Sequence, residues 1–350
     1  MISAKLTSLD TKIRFLDALK GIPEASESNL DLEYLLNPIL ALEDISGFPV
    51  NAFDLRLVSD DLSGCMAGSI PILFMGSNFW QVKRSEPTEI AKQRAHKLAS
   101  IISGRMKCFN DCRVVNVVIP EKDHYCASLI GARISYDSIE AGVSIFLETC
   151  SSQLQNGQCT TIYSLPKEHT AEHQRPVCNK MAYYDSHLPI SYYYETAKLI
   201  LSQLAIDFNP SLCAKILSTK LKYGDLGAKL YKESGKYKGE EIQCLATEKL
   251  DLNSICYTPN DLGSPLSSTR QTIDNKTSEN DISILILGDS HSSVMDQSKL
   301  TAILALHVSK VNFIWNPYLV NGLLHESELE RYKPDLIVNE ISERFIFNLR

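Results

Sequence analysis

The chain has 350 residues, of which 44% are hydrophobic and 22% are charged, a balance that is ordinary for a globular protein of one or two domains. Its net charge of −7, with no long run of Lys or Arg, argues against a nucleic acid or an anionic membrane as a partner. No stretch approaches the roughly 18 apolar residues of a membrane span. Residues 1–20 alternate charged and apolar side chains instead of forming the apolar core of a signal peptide, so they predict a cytoplasmic protein.

The first 70 residues are predicted to form an N-terminal extension with short helices, because three prolines interrupt them and residues 29–36 have a helical pattern. The pattern becomes regular at Pro71, where the main domain, residues 71–350, is expected to begin. Within it, Pro87 and a run of apolar residues at helical spacing predict a helix that begins at residues 85–87 and ends near residue 105.

Buried strands and helices alternate through the rest of the main domain. The apolar runs that predict strands cover residues 114–119, 159–165, 282–287, 311–315 and 336–341. Helical periodicity falls on residues 193–208, 293–307 and 320–332, whereas residues 142–148 fit either a strand or a short helix. Strands separated by helices imply crossover connections, so we expect an α/β fold with a mostly parallel sheet flanked by helices. Ligands bind such sheets beyond the carboxyl ends of the strands.

Residues 209–281 differ from their surroundings in composition. They contain four glycines between residues 224 and 239, a Lys-rich stretch over residues 229–238 and a polar run over residues 260–281. A segment that is both long and polar is often functional. We therefore predict an insertion at about residues 209–281, directly before the strand at residues 282–287.

That strand runs straight into Gly288-Asp289-Ser290. A serine placed where a strand ends and a helix begins presents its hydroxyl at the open edge of the sheet, where unpaired helix N–H groups can receive an oxyanion. Ser290 is therefore a candidate nucleophile, although a serine at this place also fits a simple helix cap. Asp289 is predicted to be structural and to accept hydrogen bonds from the backbone of the turn.

A candidate base lies in Asp185-Ser186-His187. In an extended segment, positions i and i+2 point to the same side, so Asp185 can accept a hydrogen bond from one ring nitrogen of His187. That bond fixes the tautomer and leaves the other ring nitrogen for a nucleophile. A histidine such as His187 is by itself more often a half-buried core residue, and the adjacent Asp185 is what favours a catalytic role. His291 is a rival base next to Ser290, but neighbouring side chains at a helix start diverge, so we expect His291 to line the pocket or to be exposed.

The order of the two motifs resembles that in the SGNH-hydrolase-like domain of the alginate O-acetyltransferase family, where an Asp-x-His motif precedes a Gly-Asp-Ser motif. The resemblance covers roughly residues 72–346 and implies an SGNH/flavodoxin-like three-layer sandwich. Further marks of the family are residues 118–122 with Tyr125, the pair Tyr183-Tyr184, residues 224–227 and the segment 333–344. The family commonly has Trp after the motif histidine and an aromatic residue after the serine, whereas this chain has Leu188 and His291.

The resemblance implies serine-dependent acyl transfer, most simply an O-acetyltransferase that acts on a polysaccharide or another glycan. Ser290, His187 and Asp185 are then the catalytic residues. An acyl donor, a glycan acceptor and an acyl-delivering partner protein are the implied partners, and members of the family are exported to places such as the periplasm. Two alternatives stay open, namely an esterase for carbohydrate or small acetyl esters and a catalytically inactive glycan-binding homologue.

Several other residues are predicted to border the site: His291, Lys122, Tyr125, Tyr184 and Arg344 as substrate-binding residues. For Lys122 and Tyr125 a plain surface position is the alternative, and Arg344 is expected to pair with Glu340 or Glu343. The acidic and histidine residues around Glu121 match no metal-ligand spacing, so no metal and no cofactor are expected. The ten cysteines include no Cys-x-x-Cys and are predicted to be mostly free, buried thiols.

Overall fold

The structure, a computed structural model, describes residues 56–59, 62–67, 70–75, 89–106, 112–125, 137–153, 159–163, 185–222, 224–226, 240–246, 254–258, 270–293, 300–315 and 332–347. Outside these ranges lie the helix predicted at residues 29–36, all but the last residue of the helix predicted at residues 320–332, and the predicted substrate contact Tyr184. Within them, no helix is both long enough and apolar enough to cross a membrane. The compartment of the protein stays a prediction.

Twelve strands and six helices can be assigned in the described residues. The strands are β1 (Arg56–Ser59), β2 (Leu62–Ala67), β3 (Ile70–Met75), β4 (Arg113–Ile119), β5 (Cys159–Tyr163), β6 (Leu217–Lys222), β7 (Glu240–Leu245), β8 (Ser254–Thr258), β9 (Arg270–Asp274), β10 (Ser283–Gly288), β11 (Lys310–Trp315) and β12 (Leu336–Ser342). The helices are α1 (Glu89–Met106), α2 (Asp137–Gln153), α3 (Ile190–Ser202), α4 (Pro210–Ile216), α5 (Leu300–Ala305) and α6 (Glu343–Phe347).

The largest sheet in the described part of the chain has seven strands in the order β5-β4-β12-β10-β11-β9-β8. The five strands from β5 to β11 are parallel, whereas β9 and β8 are antiparallel to their neighbours. Two smaller antiparallel sheets consist of β1-β2-β3 and β6-β7. The α/β fold with a mostly parallel sheet, expected from the sequence, is confirmed.

Side chains of the central strands alternate between two hydrophobic cores, because successive residues of a strand point to opposite faces. Ile284 and Ile286 of β10 join the core that contains buried residues of α3 and α5. Leu285 and Leu287 join the core that contains buried residues of α1 and α2. Helices therefore cover both faces of the sheet, which explains why these strands read as continuous apolar runs in the sequence.

Some predicted elements differ from the observed ones. Residues 142–148 belong to a helix, α2. The helix predicted over residues 193–208 begins at Ile190 and ends at Ser202, and Ala205 shortly after it has a φ of 56°, which lies outside the right-handed helical region. Strands β8 and β9 fall inside residues 209–281 and pair with the main sheet, and the β1-β2-β3 sheet spans residue 70. The domain boundary and the insertion stay predictions.

Three neighbouring strands of the sheet, β4, β12 and β10, end at the same edge because they are parallel. Strand β4 is followed by Glu121 and Lys122, strand β10 by Asp289 and Ser290, and strand β12 by α6 with Arg344. This edge therefore carries polar side chains from three parts of the chain that are far apart in the sequence.

Candidate active site

Ser290 lies at the carboxyl edge of the sheet, two residues after the end of β10. Residues 290–292 form a turn, and the next described helix, α5, begins at Leu300. The prediction that Ser290 stands at the first turn of a helix is therefore wrong, because the chain leaves the strand through a turn. Ser290 is partly exposed, and no hydrogen bond among the described residues occupies its backbone N–H.

The two motifs predicted to meet do lie side by side. The Ser290 hydroxyl oxygen is 3.0 Å from Nε2 of His187. On the other side of the ring, Nδ1 of His187 is 2.5 Å from Oδ1 of Asp185, and the same oxygen accepts the backbone N–H of His187 at 2.9 Å. Asp185 and His187 are both buried. A hydroxyl, an imidazole and a carboxylate are thus connected in one line, which is the arrangement that activates a serine.

Two contacts hold the segment 185–187 in place. Asp225 accepts hydrogen bonds from the backbone N–H and the hydroxyl of Ser186, each at 2.7 Å. Lys122 donates from Nζ to the main-chain carbonyl of Asp185 at 2.9 Å. The first anchor comes from the segment predicted to be an insertion, and the second comes from the end of β4. The orientation of the Asp-x-His motif therefore depends on residues outside the motif.

Lys122 and Tyr125 are buried, so the alternative of a surface position is wrong for both. Only 3% of Lys122 is exposed. Besides Asp185, its Nζ donates to the carbonyl of Leu73 at 3.0 Å and lies 5.6 Å from the centre of the Phe74 ring. Tyr125 belongs to the hydrophobic core under this edge of the sheet. Their assignment as substrate-binding residues stays a prediction.

His291 is buried beside the candidate base, with 1% of its surface exposed. Its ring meets the ring of His187 edge-on, with centroids 4.9 Å apart. Its Nδ1 lies 2.7 Å from the hydroxyl of Tyr193 on α3, so this nitrogen is engaged away from Ser290. The expectation that His291 is exposed is wrong, and its predicted contact with substrate stays a prediction.

Asp289 fastens the turn to strand β12, as its predicted structural role requires. Its Oδ1 accepts the backbone N–H of His291 at 2.9 Å, and its Oδ2 accepts the N–H and the hydroxyl of Ser342 at 3.0 Å and 2.5 Å. Burial raises the pKa of Asp289, but His291, Arg344 and these hydrogen bonds outweigh burial and lower it to about 2. Asp289 is therefore ionised at neutral pH, and its structural role is confirmed.

Glu340, on the neighbouring strand β12, accepts hydrogen bonds from the same turn. Its Oε2 accepts the backbone N–H of Asp289 at 2.9 Å and the hydroxyl of Ser292 at 2.7 Å. A Cβ atom added to Gly288 would lie 2.6 Å from this oxygen, so only glycine leaves room for the carboxyl group at this close approach. Burial, and then the charge of Asp289, raise the pKa of Glu340 well above its ordinary value.

Arg344 pairs with a residue that the sequence did not suggest. Its Nη1 is 3.0 Å from Oε2 of Glu121, which precedes it by 223 residues. Glu343 instead accepts a hydrogen bond from Tyr163 at 3.1 Å and lies 2.7 Å from Nε2 of His124. The predicted pairing of Arg344 with Glu340 or Glu343 is therefore wrong. Its assignment as a substrate-binding residue stays a prediction.

Among the described residues, Asp185, His187 and Asp225 bring ligand atoms within 4.8 Å of one another, the spacing that a metal site needs. All three residues are already hydrogen-bonded, Asp185 to His187 and Asp225 to Ser186. Because the potential ligand atoms of these three residues already take part in hydrogen bonds, we interpret the cluster as a hydrogen-bonded network and not as a metal site.

No family model and no curated protein matches the sequence. Solved structures do match. Bacillus cereus PatB1, solved with a sulfonyl adduct, is similar with a TM-score of 0.52 and 10% identity, over 79% of this chain and 94% of that one. A second structure of PatB1 gives 0.50 and 12%, over 80% and 97%. The chain has an SGNH-like fold.

The O-acetyltransferase domain of Pseudomonas putida AlgJ is similar with a TM-score of 0.45 and 14% identity, over 79% of this chain and 89% of that one. The similarity to PatB1 confirms, for the fold, the resemblance predicted from the order of the motifs. Sequence reasoning missed Ser292, which lies in the turn itself and carries no local signal. Asp225, Glu340 and Ser342 had a signal, since all three lie in segments that resemble the family.

Proposed function

We propose that the protein is a serine-dependent O-acetyltransferase that acts on a polysaccharide or another glycan. The observation that supports this most directly is the 3.0 Å distance from the Ser290 hydroxyl to Nε2 of His187, with Asp185 at 2.5 Å from the other ring nitrogen. A hydroxyl is a weak nucleophile until a base takes its proton, and an oriented imidazole is the usual base.

The reaction has two steps with the same residues. First, His187 takes the proton of Ser290 as the hydroxyl oxygen attacks the carbonyl carbon of the acyl donor. The bond from that carbon to the leaving group breaks, and His187 returns the proton to the leaving group. A glycan hydroxyl then attacks the acyl-serine, again with His187 as base, and Ser290 leaves with its proton restored.

The turn supplies a donor for the negative charge that develops on the carbonyl oxygen. We assign this role to the N–H of Ser290, which no hydrogen bond occupies among the described residues. An oxyanion-hole donor contributes about 3 kcal/mol to the lowering of the barrier, so small displacements of the turn have large effects on the rate.

The acetyl group and the glycan acceptor follow from the resemblance to the alginate O-acetyltransferase family, as does an acyl-delivering partner protein. An acetylesterase would use the same three side chains, because only the final acceptor differs, water in place of a sugar hydroxyl. The function is therefore tested in two stages, first the nucleophile and then the acceptor.

The first stage uses a chromogenic acetyl ester and a sulfonyl fluoride, a reagent class suggested by the adduct in PatB1. Sulfonylation forms a bond from the serine oxygen to sulfur and releases fluoride and the serine proton. We expect intact-mass measurement to find one sulfonyl group on the parent protein and on Ser211→Ala, an exposed control, and none on Ser290→Ala. Adduct and ester turnover that persist in Ser290→Ala would contradict the proposal.

The second stage adds a panel of acidic and neutral polysaccharides to the ester assay. We expect acetylated glycan to appear in proportion to the acetyl ester consumed, with little free acetate. If the amount of free acetate is the same with and without each polysaccharide, the protein is an esterase. Absence of both products, with no adduct on Ser290, would leave the inactive glycan-binding homologue.

A further inference from the structure

Besides Asp289, a second buried carboxyl group, that of Glu340 on β12, holds the turn that carries Ser290. None of Glu340 is exposed. One oxygen, Oε2, receives the donors on both sides of Ser290, the N–H of Asp289 at 2.9 Å and the hydroxyl of Ser292 at 2.7 Å. The same oxygen also lies close to the backbone at Gly288, where an added Cβ atom would be 2.6 Å from it. Glu340 thus touches the residues before and after Ser290 without touching the site of the chemistry.

We propose that Glu340 is a positioning residue, kept as a neutral carboxylic acid, that holds the Ser290 turn in the geometry needed for acyl transfer. This inference rests on the proposed function, because it explains how the nucleophile is held in place. A displacement of about 1 Å at a reacting group can reduce a rate on the order of a hundredfold, so a rigid support for the turn affects the rate directly.

The surroundings of Glu340 explain why the group is neutral. The charge that acts on Glu340 is the carboxylate of Asp289, and the phenol groups that interact with Glu340 from α3 are those of Tyr192 and Tyr193. Asp289 itself interacts with His291 and then with Arg344, and Arg344 is paired with Glu121. An ionised Glu340 would therefore lie beside a second negative charge, out of contact with water.

The carboxyl groups of Asp289 and Glu340 differ in their hydrogen bonds. Asp289 is ionised and accepts three hydrogen bonds, from the N–H of His291 and from the N–H and hydroxyl of Ser342. On Glu340 both hydrogen bonds go to Oε2, and the other oxygen, Oε1, has no hydrogen-bond partner among the described residues. An acid whose proton is on Oε1 leaves Oε2 as a carbonyl acceptor, which matches this pattern. Paired carboxyl groups commonly divide in this way between an acid and its conjugate base.

Glutamine has the shape of a protonated glutamate and offers the same carbonyl acceptor. In the ester assay we therefore expect Glu340→Gln to keep kcat within about threefold, and Glu340→Leu to lose kcat on the order of a hundredfold with KM little changed. Because the leucine substitution could impair folding, Ser292→Ala provides a milder variant that removes one of the two contacts. It should lower kcat by less than Glu340→Leu and leave KM unchanged.

A second readout does not depend on activity. A group that is neutral when folded and ionised when unfolded loses a proton on unfolding, so it makes the protein less stable as the pH rises above its unfolded pKa. Glutamine has no such group. We expect the ratio of unfolding constants, parent to Glu340→Gln, to rise roughly tenfold per pH unit from about pH 5 upward, as long as the pH stays below the raised pKa of Glu340 in the folded protein, in urea unfolding experiments. A ratio that stays constant over this range would show that Glu340 is ionised and would overturn the proposal.

The outcomes separate the two proposals. If Ser290→Ala keeps full activity, the proposed function fails, whatever the unfolding data show. If acylation requires Ser290 but Glu340→Leu retains the parent kcat, the positioning role fails and the proposed function stands. A fall in kcat for Glu340→Gln as large as that for Glu340→Leu also contradicts a neutral Glu340.

Discussion

The ammonium nitrogen of Lys122 lies 2.9 Å from the main-chain carbonyl oxygen of Asp185. With its second bond, to the carbonyl of Leu73, it connects β3, the end of β4 and the Asp-x-His segment. The sequence predicted a substrate contact at Lys122, whereas these two bonds favour a role in positioning Asp185. The two roles predict different changes in the kinetic constants.

We expect Lys122→Met to lower kcat about tenfold and to leave KM nearly unchanged, because two buried carbonyls lose their donor and Asp185 is held less firmly. Steady-state kinetics with the acetyl ester measure both constants. Lys198→Met, on the exposed side of α3, is the matched control and should behave as the parent. A rise in KM at constant kcat would instead identify Lys122 as a substrate contact.

Asp289 should make the protein sensitive to acid. Its pKa of about 2 is below its ordinary value of 3.8, so its contribution to stability is complete above about pH 4 and is lost as the pH falls toward 2. The contribution is about 2 kcal/mol by linkage. Urea unfolding should therefore find Asp289→Asn less stable than the parent at pH 6, with a smaller difference at pH 3. The exposed Asp207→Asn serves as control, and a difference that does not depend on pH would contradict the assignment.

The largely buried pair of Arg344 and Glu121 should be strongly coupled. Removing one partner leaves a buried charge uncompensated, so we expect Arg344→Met to lower the free energy of unfolding by about 3–5 kcal/mol. Adding Glu121→Gln to Arg344→Met should restore part of the loss. The pair of Lys310 and Asp274, 3.7 Å apart with 46% and 36% of the side chains exposed, is the control.

For that exposed control pair, Lys310→Ala should change stability by less than about 1 kcal/mol. A double-mutant cycle, measured by urea unfolding, gives the coupling energy of each pair. Equal coupling in the two pairs would contradict the importance of burial for the Glu121–Arg344 contact.

Thiol reactivity offers a fourth check. Burial raises the pKa of Cys112, Cys150 and Cys213 to about 12, so very little thiolate is present at neutral pH. We expect these cysteines to react with iodoacetamide in the unfolded protein and to resist it in the folded protein, with ester hydrolysis unaffected. Peptide mapping by mass spectrometry measures the modification at each site. Rapid labelling of the folded protein at these three positions would contradict their burial.

The elements that carry the site could be predicted from local pattern. Strand β10 was predicted at residues 282–287 and is found at Ser283–Gly288, because a strand buried on both faces has an unbroken apolar run. The contact between Asp185 and His187 was predicted from their spacing in an extended segment. The contact is present, but the chain bends at residues 186–187, where Asp185 also accepts the backbone N–H of His187. The contact between His187 and Ser290 could be predicted only from the resemblance in motif order, because the two residues are 103 positions apart in the sequence.

The supports of the site could not be predicted in this way. Arg344 finds Glu121 because β12 lies next to β4, and the order of strands in a sheet is not encoded in the periodicity of any one of them. The contact between Glu340 on β12 and the turn after β10 likewise depends on the order of the strands. The turn itself was predicted to be the start of a helix, because a Gly-Asp-Ser sequence fits a helix N-terminus as well as a turn.

Strand β12 is the last strand of the described chain, and it is also the one that joins β4 to β10 in the middle of the sheet. While the protein is being synthesised, both neighbours leave the ribosome before it does. Until it inserts, each of them has an unpaired edge that can attract other chains. Glu340 lies on β12 and so contacts the Ser290 turn only after this strand has inserted, and we therefore expect the proposed activity to require β12 in its place in the sheet.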